Sequence, residues 1–232
     1  MAKFYGIGIG PGDSELVTVK AARILAGIDA VLLPEARSSK GSIAYDIAKE
    51  YINPRAELVY SEFPMTADTG VINLAGVKAA AIVEKYIKEG KNIAFITLGD
   101  PSIYSTYGYI LRNLAGGIEI ETIPGITSFC ASAASLNRLL VEGEEVLSII
   151  PATASVDKID GITELSDGMA YMKVYSNSDK LVNLLEKHEL LDKSVLVKRC
   201  GMEDCSVETD VRKGLSQGRQ YLSIVLARKE KR

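Results

Sequence analysis

Short apolar segments alternate with amphipathic ones along the first half of this 232-residue chain. The apolar segments have the length of strands and predict β-strands at residues 3–9, 30–33, 57–60, 92–97 and 119–123. Between them, apolar residues recur at helical spacing and predict helices at residues 18–26, 43–51, 71–89 and 105–114. Strands that alternate with helices in this way indicate a mostly parallel sheet with helices on both faces.

The pattern changes after residue 123. Small residues recur at helical spacing in 131–135, and one further helix is predicted at 180–190. The remaining apolar segments predict strands at 146–150, 169–175, 194–199, 206–211 and 221–227. Such a strand-rich half indicates a mixed sheet with hairpins. The sequence therefore predicts two α/β domains, residues 1–123 and 124–232, and a cleft between two domains is a favoured place for a small ligand.

The composition narrows the class of partner. Apolar residues make up 47% of the chain and charged residues 25%, which is the balance of a globular protein that is not embedded in a membrane. The net charge is −3, without the basic excess typical of a nucleic-acid partner. No apolar run approaches the ~18 residues of a membrane span, and the N-terminus has no signal-peptide pattern. We therefore expect a cytoplasmic protein that binds neither nucleic acid nor membrane.

The cysteines and the single histidine offer little chemistry. Three cysteines and one histidine do not complete a standard zinc site without carboxylates, so no metal is expected. Cys200 and Cys205 have a spacing that permits a redox switch, but reduced thiols are favoured in a reducing compartment. His188 lies near the end of a predicted helix and is expected to be a solvated residue and not a catalytic base.

Glycine and proline follow three of the predicted strands. The motifs are Gly8-Ile9-Gly10-Pro11-Gly12-Asp13, Gly99-Asp100-Pro101 and Pro124-Gly125-Ile126-Thr127-Ser128. Glycine lets a ligand or another backbone approach closely, and the carboxyl ends of parallel strands are where open α/β sheets bind small molecules. The first motif lacks the G-x-G-x-x-G spacing of a dinucleotide site and contains a proline. This argues against a nicotinamide-dependent oxidoreductase.

Together with Ile103-Tyr104-Ser105-Thr106, these three motifs resemble the tetrapyrrole methylases, over essentially the whole chain. The resemblance implies two α/β domains with a cofactor cleft between them, S-adenosyl-L-methionine as methyl donor, and a homodimer. Further segments resemble the branch that methylates C20 of precorrin-2 or cobalt-factor II in cobalamin biosynthesis. They are Leu33-Pro34, Ser42-Ile43-Ala44-Tyr45, Phe63-Pro64-Met65 and the terminal segment 221–229.

The resemblance also implies a set of cofactor contacts. Its members are Pro11, Gly99, Asp100, Ile103, Thr127, Ser128, Met172, Gly201 and Met202. Two of these positions depart from the family pattern, because Ser128 stands where alanine is commoner and Cys200-Gly201-Met202-Glu203 replaces a commoner Gly-Thr or Ala-Thr sequence. From the residue types alone, core filling is the alternative for Met172, and capping of the following helix, which is compatible with a ligand contact, is the alternative for Asp100.

The implied substrate carries eight carboxylates, so basic side chains are expected near it. Arg37 and Lys40 are the candidates in the loop after the second strand, with Arg112 or Arg138 as further guesses. Methyl transfer to an electron-rich carbon needs no protein nucleophile. The catalytic residues are therefore unknown, and Asp100 and Tyr104 are candidates only for the later removal of a proton.

Two other functions remain open from the sequence. The first is another enzyme of the same fold, acting at a different precorrin position, on uroporphyrinogen III or on a diphthine intermediate. The second is a non-catalytic protein that binds a tetrapyrrole or S-adenosylmethionine. Metal-free precorrin-2 and cobalt-factor II are both candidate substrates.

Overall fold

The computed structural model describes residues 2–35, 41–64, 66, 68–176, 178–217 and 221–229. The chain divides into two compact units, Met1–Thr127 and Ser128–Arg232. Each unit contains one five-stranded sheet, and each is described in turn.

The first unit is a parallel sheet, as the alternating pattern predicts. Its strands are β1 (Lys3–Gly8), β2 (Ala30–Glu35), β3 (Glu57–Glu62), β4 (Ile93–Thr97) and β5 (Glu119–Ile123). They lie in the order β3-β2-β4-β1-β5, and every neighbouring pair is parallel. The helices are α1 (Val19–Leu25), α2 (Ile43–Ala48), α3 (Thr69–Lys88) and α4 (Tyr107–Asn113).

Helices cover both faces of this sheet. Successive strand residues face opposite sides, so Ile7 packs with α1 and α2 in one buried cluster. Phe4 packs with α3 and α4 in the other. Side-chain oxygens cap the N-termini of two of these helices. The Thr18 hydroxyl accepts from the Ala21 N–H of α1 at 3.2 Å, and the Asp68 carboxylate accepts from the Gly70 N–H of α3 at 2.8 Å.

The second unit has the mixed sheet that its strand-rich pattern predicts. Its strands are β6 (Leu147–Pro151), β7 (Gly168–Met172), β8 (Ser194–Lys198), β9 (Ser206–Glu208) and β10 (Ser223–Arg228). They lie in the order β6-β7-β10-β8-β9; β6 and β7 are parallel, and the other pairs are antiparallel. The helices are α5 (Ser128–Ser135), α6 (Val156–Leu165), α7 (Ser178–Lys187) and α8 (Val211–Ser216).

Two helices of the second unit were not predicted. Helix α6 buries Ile159 and the polar Thr163, with Ile162 partly buried against the same core, so a threonine interrupts the apolar periodicity. The Thr163 hydroxyl is satisfied there, 2.8 Å from both the Ile159 carbonyl and the Tyr171 hydroxyl. The strand predicted at 206–211 ends early because Asp210 caps α8 through the Lys213 N–H at 3.0 Å.

The prediction that His188 is solvated was wrong. It follows α7, but its side chain is only 14% exposed, and its Nε2 lies 2.8 Å from Asp160 Oδ1. Lys187 contacts the other oxygen of the same carboxylate at 2.7 Å. Asp160 belongs to α6, so the histidine links two helices of the second unit that the sequence pattern could not pair.

The packing at Gly6 gives a stability prediction. A Cβ at this position would overlap the ring of Tyr107, which lies beside Phe4 and Phe95. We therefore expect Gly6→Ala to lower the free energy of unfolding by about 1–3 kcal/mol, as overpacking does. The same change at Gly161 within α6 meets no atom within 4 Å and should raise that free energy by about 0.5–1 kcal/mol. Urea unfolding measures both, and an unchanged Gly6→Ala protein would contradict the packing.

Candidate functional site

Three loops meet at the carboxyl edge of the first sheet, where β4, β1 and β5 are neighbours. The Ile9 N–H donates to the Thr97 carbonyl at 3.1 Å, and the Gly99 N–H donates to the Gly10 carbonyl at 2.8 Å. The Gly125 N–H donates to a carboxylate oxygen of Asp100 at 3.0 Å. The loop after β4 is thus hydrogen-bonded to the loops that follow β1 and β5.

Glycine is required where these loops touch. A Cβ at Gly8 would lie 2.5 Å from the Gly99 carbonyl oxygen and 2.7 Å from the Gly125 nitrogen. A Cβ at Gly125 would overlap the same Gly99 carbonyl. Gly10 and Gly99 have left-handed backbones, with φ of 81° and 66°. At Gly8 and Gly125, therefore, the close approach that the sequence predicts is made by backbone of the protein itself.

The connections from β1 and β4 run to opposite faces of the sheet. The chain leaving β1 passes through α1 to β2, and the chain leaving β4 passes through α4 to β5. Because α1 and α4 cover opposite faces, the loops after β1 and β4 leave the strand ends toward opposite faces while they stay hydrogen-bonded to each other. The carboxyl ends of the strands are the usual ligand edge of an open α/β sheet.

Asp100 connects the loop after β4 to the loop after β5 through hydrogen bonds. Its Oδ1 accepts from the N–H and the hydroxyl of Ser102, at 2.8 and 2.5 Å, and its Oδ2 accepts from Gly125. Burial opposes the charged carboxylate, but the three hydrogen bonds outweigh it and hold the pKa of Asp100 below its ordinary value. Asp100 does not cap α4, so that alternative from the sequence was wrong.

The start of α4 is fixed by hydroxyl residues to which the motif analysis assigned no role. The Ser105 hydroxyl donates to Thr97 Oγ1 at 3.0 Å and accepts from the Tyr107 N–H at 3.1 Å. The Tyr107 hydroxyl in turn lies 2.8 Å from Thr122 Oγ1. Ser105, two residues before the helix, was the signal in the sequence for where α4 begins. Short hydroxyl side chains commonly accept hydrogen bonds from the first free N–H groups of a helix.

Thr127 carries a buried hydroxyl at the end of the first unit. Its Oγ1 has no hydrogen-bond partner within the part of the chain that the structure describes. Buried polar atoms are nearly always paired, so this atom is suited to a ligand. Ser128, the next predicted contact, begins α5 of the second unit.

The predicted contacts of the second unit share one sheet edge. Since β6, β7 and β8 run in the same direction, their carboxyl ends lie at one edge, beside the start of β10. The partly buried Met172 ends β7, while Gly201 and Met202 follow β8. The Arg199 N–H donates to the Leu222 carbonyl at 2.9 Å and ties the loop after β8 to the segment before β10.

Backbone strain is concentrated at these two edges. Among the described residues, six other than glycine have positive φ, and two of them follow helices α5 and α7. The other four are Tyr104 in the first unit and Lys173, Arg199 and Leu222 at the edge of the second. Left-handed residues of this kind cost about 1–3 kcal/mol each and cluster at functional sites.

Cys200 is not an activated thiol. It is buried, and burial raises the pKa of its thiol while the neighbouring Ser132 hydroxyl opposes the rise. Cys205 and Cys130 are exposed, and all three cysteines are free. A raised pKa leaves little thiolate for redox chemistry, which agrees with the sequence preference for reduced thiols.

The candidates for substrate binding are only partly placed. Arg37, Lys40 and Met65 lie outside the described residues. Arg112 stacks on the ring of Tyr109 at 4.5 Å. Arg138 donates to the Lys193 carbonyl, and burial together with Arg228 lowers its pKa. Nothing in these contacts supports the guesses that Arg112 or Arg138 binds substrate.

The family is shown by comparison with known proteins. The model for Tetrapyrrole (Corrin/Porphyrin) Methylases matches residues 3–214. The chain belongs to the tetrapyrrole methylase family.

Several curated relatives of this methylase are similar over nearly its whole length. A Methanocaldococcus jannaschii protein named "Probable cobalt-precorrin-2 C(20)-methyltransferase" is 36% identical over 99% of this chain and 97% of its own. The cobalt-precorrin-2 C(20)-methyltransferase of Salmonella typhimurium is 32% identical, covering 88% and 86%. The precorrin-2 C(20)-methyltransferase of a Sinorhizobium species is 28% identical, covering 97% and 95%.

Solved structures share the fold of the methylase. A cobalt precorrin-4 methyltransferase superposes with a TM-score of 0.73 at 20% identity, covering 97% of this chain and 94% of its own. A uroporphyrin-III C-methyltransferase from Thermus thermophilus, complexed with S-adenyl homocysteine, superposes with a TM-score of 0.67 at 18% identity, covering 97% and 92%. Two α/β units are therefore the fold of this family, as the sequence predicts.

The residues present fit the methyl donor of the family, S-adenosylmethionine. In the first unit, Thr127 offers a buried hydroxyl that has no partner among the described residues, and the nearest atom to a Cβ added at Gly99 is 4.0 Å away, so there is space beside this glycine. Asp100 supplies a negative charge in the same unit. These groups of the first unit match a ligand that has hydroxyls and an ammonium group. In the second unit, Met172 supplies an adaptable apolar surface.

Asp100 gives the second prediction. Asp100→Asn turns an accepting oxygen toward Gly125 into a donor, so at pH 7 we expect the free energy of unfolding to fall by about 1–3 kcal/mol. A lowered carboxylate pKa stabilises the fold above its unfolded pKa of about 3.9 and ceases to do so as pH falls through the folded value. The difference between wild type and variant should therefore shrink below about pH 4.

Urea unfolding at several pH values makes this measurement. Glu144→Gln is the control, because Glu144 is exposed and its replacement should change stability by less than about 0.5 kcal/mol. An Asp100→Asn protein as stable as wild type at pH 7 would show that the carboxylate does not fasten the loops.

Proposed function

We propose that this methylase transfers a methyl group from S-adenosylmethionine to C20 of precorrin-2, or of its cobalt-containing form, in cobalamin biosynthesis. The observation that carries the proposal is the coverage of the C20-methylating relatives, two of which match 97% or more of this chain. Relatives named for C11 methylation of cobalt-precorrin-4 match only 71% and 69% of it, at 29% and 27% identity. The longer matches therefore favour the C20 branch.

The methyl donor, we propose further, contacts residues of both units. S-adenosylmethionine supplies an electrophilic methyl group when it is bound. Pro11, Gly99, Asp100, Ile103 and Thr127 are the contacts proposed from the first unit, and Ser128, Met172, Gly201 and Met202 those from the second. A donor held in near-attack geometry can contribute about 7–11 kcal/mol to catalysis, so alignment is the main task of these residues.

Neither Asp100 nor Tyr104 has the properties of a general base. A base works best when its pKa lies near the working pH, whereas three hydrogen bonds lower the pKa of Asp100. Burial raises the pKa of Tyr104, so its phenol is neutral and acts as a donor. Water or a carboxylate of the substrate is the more suitable acceptor for the proton that leaves C20.

The test is a set of parallel incubations under anaerobic conditions. The protein is mixed with methyl-labelled S-adenosylmethionine and with precorrin-2, cobalt-factor II or uroporphyrinogen III, and the product is analysed by mass spectrometry. Transfer of one methyl group to either of the first two supports the proposal, and their relative rates identify the preferred metal state. Transfer to uroporphyrinogen III alone, or cofactor binding without transfer, contradicts it and favours the two rival functions.

Arg37 and Lys40 provide a prediction about the substrate. Their proposed role is to bind carboxylates of the tetrapyrrole. We expect Arg37→Gln with Lys40→Gln to raise the KM for the tetrapyrrole about tenfold, a loss of about 1.4 kcal/mol. The Kd for S-adenosylmethionine, measured by calorimetry, should not change.

The exposed Lys158 provides the matched control, since Lys158→Gln removes a positive charge from helix α6, which is not part of any of the three loops. Unchanged kinetics in the double variant would remove Arg37 and Lys40 from the substrate site.

A homodimer and a cytoplasmic location remain proposals drawn from the family resemblance and the composition. Across the described residues, no helix is long and apolar enough to cross a membrane. Light scattering tests the assembly, with an expected mass of twice the 25.0 kDa of one chain; a mass of one chain contradicts it.

A further inference from the structure

Tyr104 has a strained backbone in the loop that follows β4. Its φ is 51°, which is an outlier for a bulky side chain. The strain is imposed from both sides. Before it, the Ile103 N–H donates to the Asp100 carbonyl at 3.2 Å and closes a turn. After it, Ser105 is held by Thr97 and by the first turn of α4.

The residue type at this position conflicts with its conformation. Glycine adopts a left-handed backbone without steric cost, and asparagine tolerates it. The chain uses glycine at the other left-handed positions of this edge, Gly10 and Gly99. A tyrosine that keeps such a backbone breaks the local rule, and such conflicts are expected where the side chain itself is needed.

The side chain presents an aromatic surface at the site. Tyr104 is 46% exposed, and it is separate from the buried stack that Tyr107 forms with Phe4 and Phe95. In the sequence of the three loops, residues 8–13, 98–106 and 123–127, it is the single aromatic residue. A half-exposed phenol combines an apolar face with a hydroxyl donor.

We infer that Tyr104 is a tetrapyrrole-binding residue, which packs its ring against the macrocycle and leaves the methyl donor to the neighbouring groups. This inference rests on the proposed function. The polar groups of the donor are matched by Asp100 and by the buried Thr127 hydroxyl, with space beside Gly99. A macrocycle of pyrrole rings instead needs an exposed aromatic surface, and Tyr104 supplies it at the same edge.

Three variants test the inference. We expect Tyr104→Ala and Tyr104→Gly to raise the KM for precorrin-2 about tenfold or more, and Tyr104→Phe, which keeps the ring, to raise it less than about threefold. The Kd for S-adenosylmethionine should stay within about twofold of wild type in all three. Because glycine relieves the left-handed backbone, Tyr104→Gly should unfold at the same temperature as wild type or higher.

Two controls separate the role of the ring from general effects. Tyr60→Ala removes an equally exposed phenol, also 46%, from strand β3. Glu189→Gly relieves another left-handed residue, with φ of 56°, just after α7. Neither should change the KM for precorrin-2.

Binding of precorrin-2 without the methyl donor, followed by an anaerobic absorption titration, gives a readout that does not depend on turnover. Weaker binding to Tyr104→Ala supports the inference even if the wild type transfers no methyl group, a result that would overturn only the proposed function. Equal precorrin-2 binding in wild type and Tyr104→Ala overturns the inference. A raised Kd for S-adenosylmethionine with an unchanged KM also overturns it and assigns the ring to the adenine of the donor.

Discussion

The contact among the loops that follow β4, β1 and β5 is the constraint on which the first unit depends. Gly8 and Gly125 pack backbone against the Gly99 carbonyl at distances that no side chain allows. Asp100 then joins two of these loops through the Gly125 N–H. Loops fixed in this way form a rigid edge at the carboxyl ends of the strands, which suits an enzyme that must align a donor and an acceptor.

The second unit also has a sheet edge that is held by backbone contacts, but without glycine at the left-handed positions named here. There the edge at the ends of β7 and β8 is built from non-glycine residues in left-handed conformations, Lys173, Arg199 and Leu222. Their strain is sustained by hydrogen bonds such as the one from the Arg199 N–H to the Leu222 carbonyl. In each unit, left-handed residues at the edge that carries the proposed cofactor contacts lower the free energy of unfolding. The well-packed apolar core of the unit offsets this loss.

Much of the fold of the first unit could be predicted from the sequence, because the apolar periodicity and the positions of glycine indicated the same boundaries of helices and strands. Where they disagreed, prediction failed: α6 buries a threonine whose hydroxyl is satisfied by Tyr171 of strand β7, and His188 is partly buried, in contact with Asp160 of another helix. The motifs identified which loops matter. They did not decide whether a ligand or another backbone approaches Gly8, or reveal that Tyr104 is strained, since both depend on neighbours that only the folded chain brings together.

The most direct test of the central claim is to locate the transferred methyl group on the product. The protein is incubated with S-adenosylmethionine carrying a ¹³C-labelled methyl group and with precorrin-2 or cobalt-factor II, and the tetrapyrrole is examined by ¹³C NMR. The account predicts one enriched methyl signal, coupled to the meso carbon C20. Enrichment at any other carbon, or an unlabelled tetrapyrrole in the presence of bound S-adenosylmethionine, would contradict it.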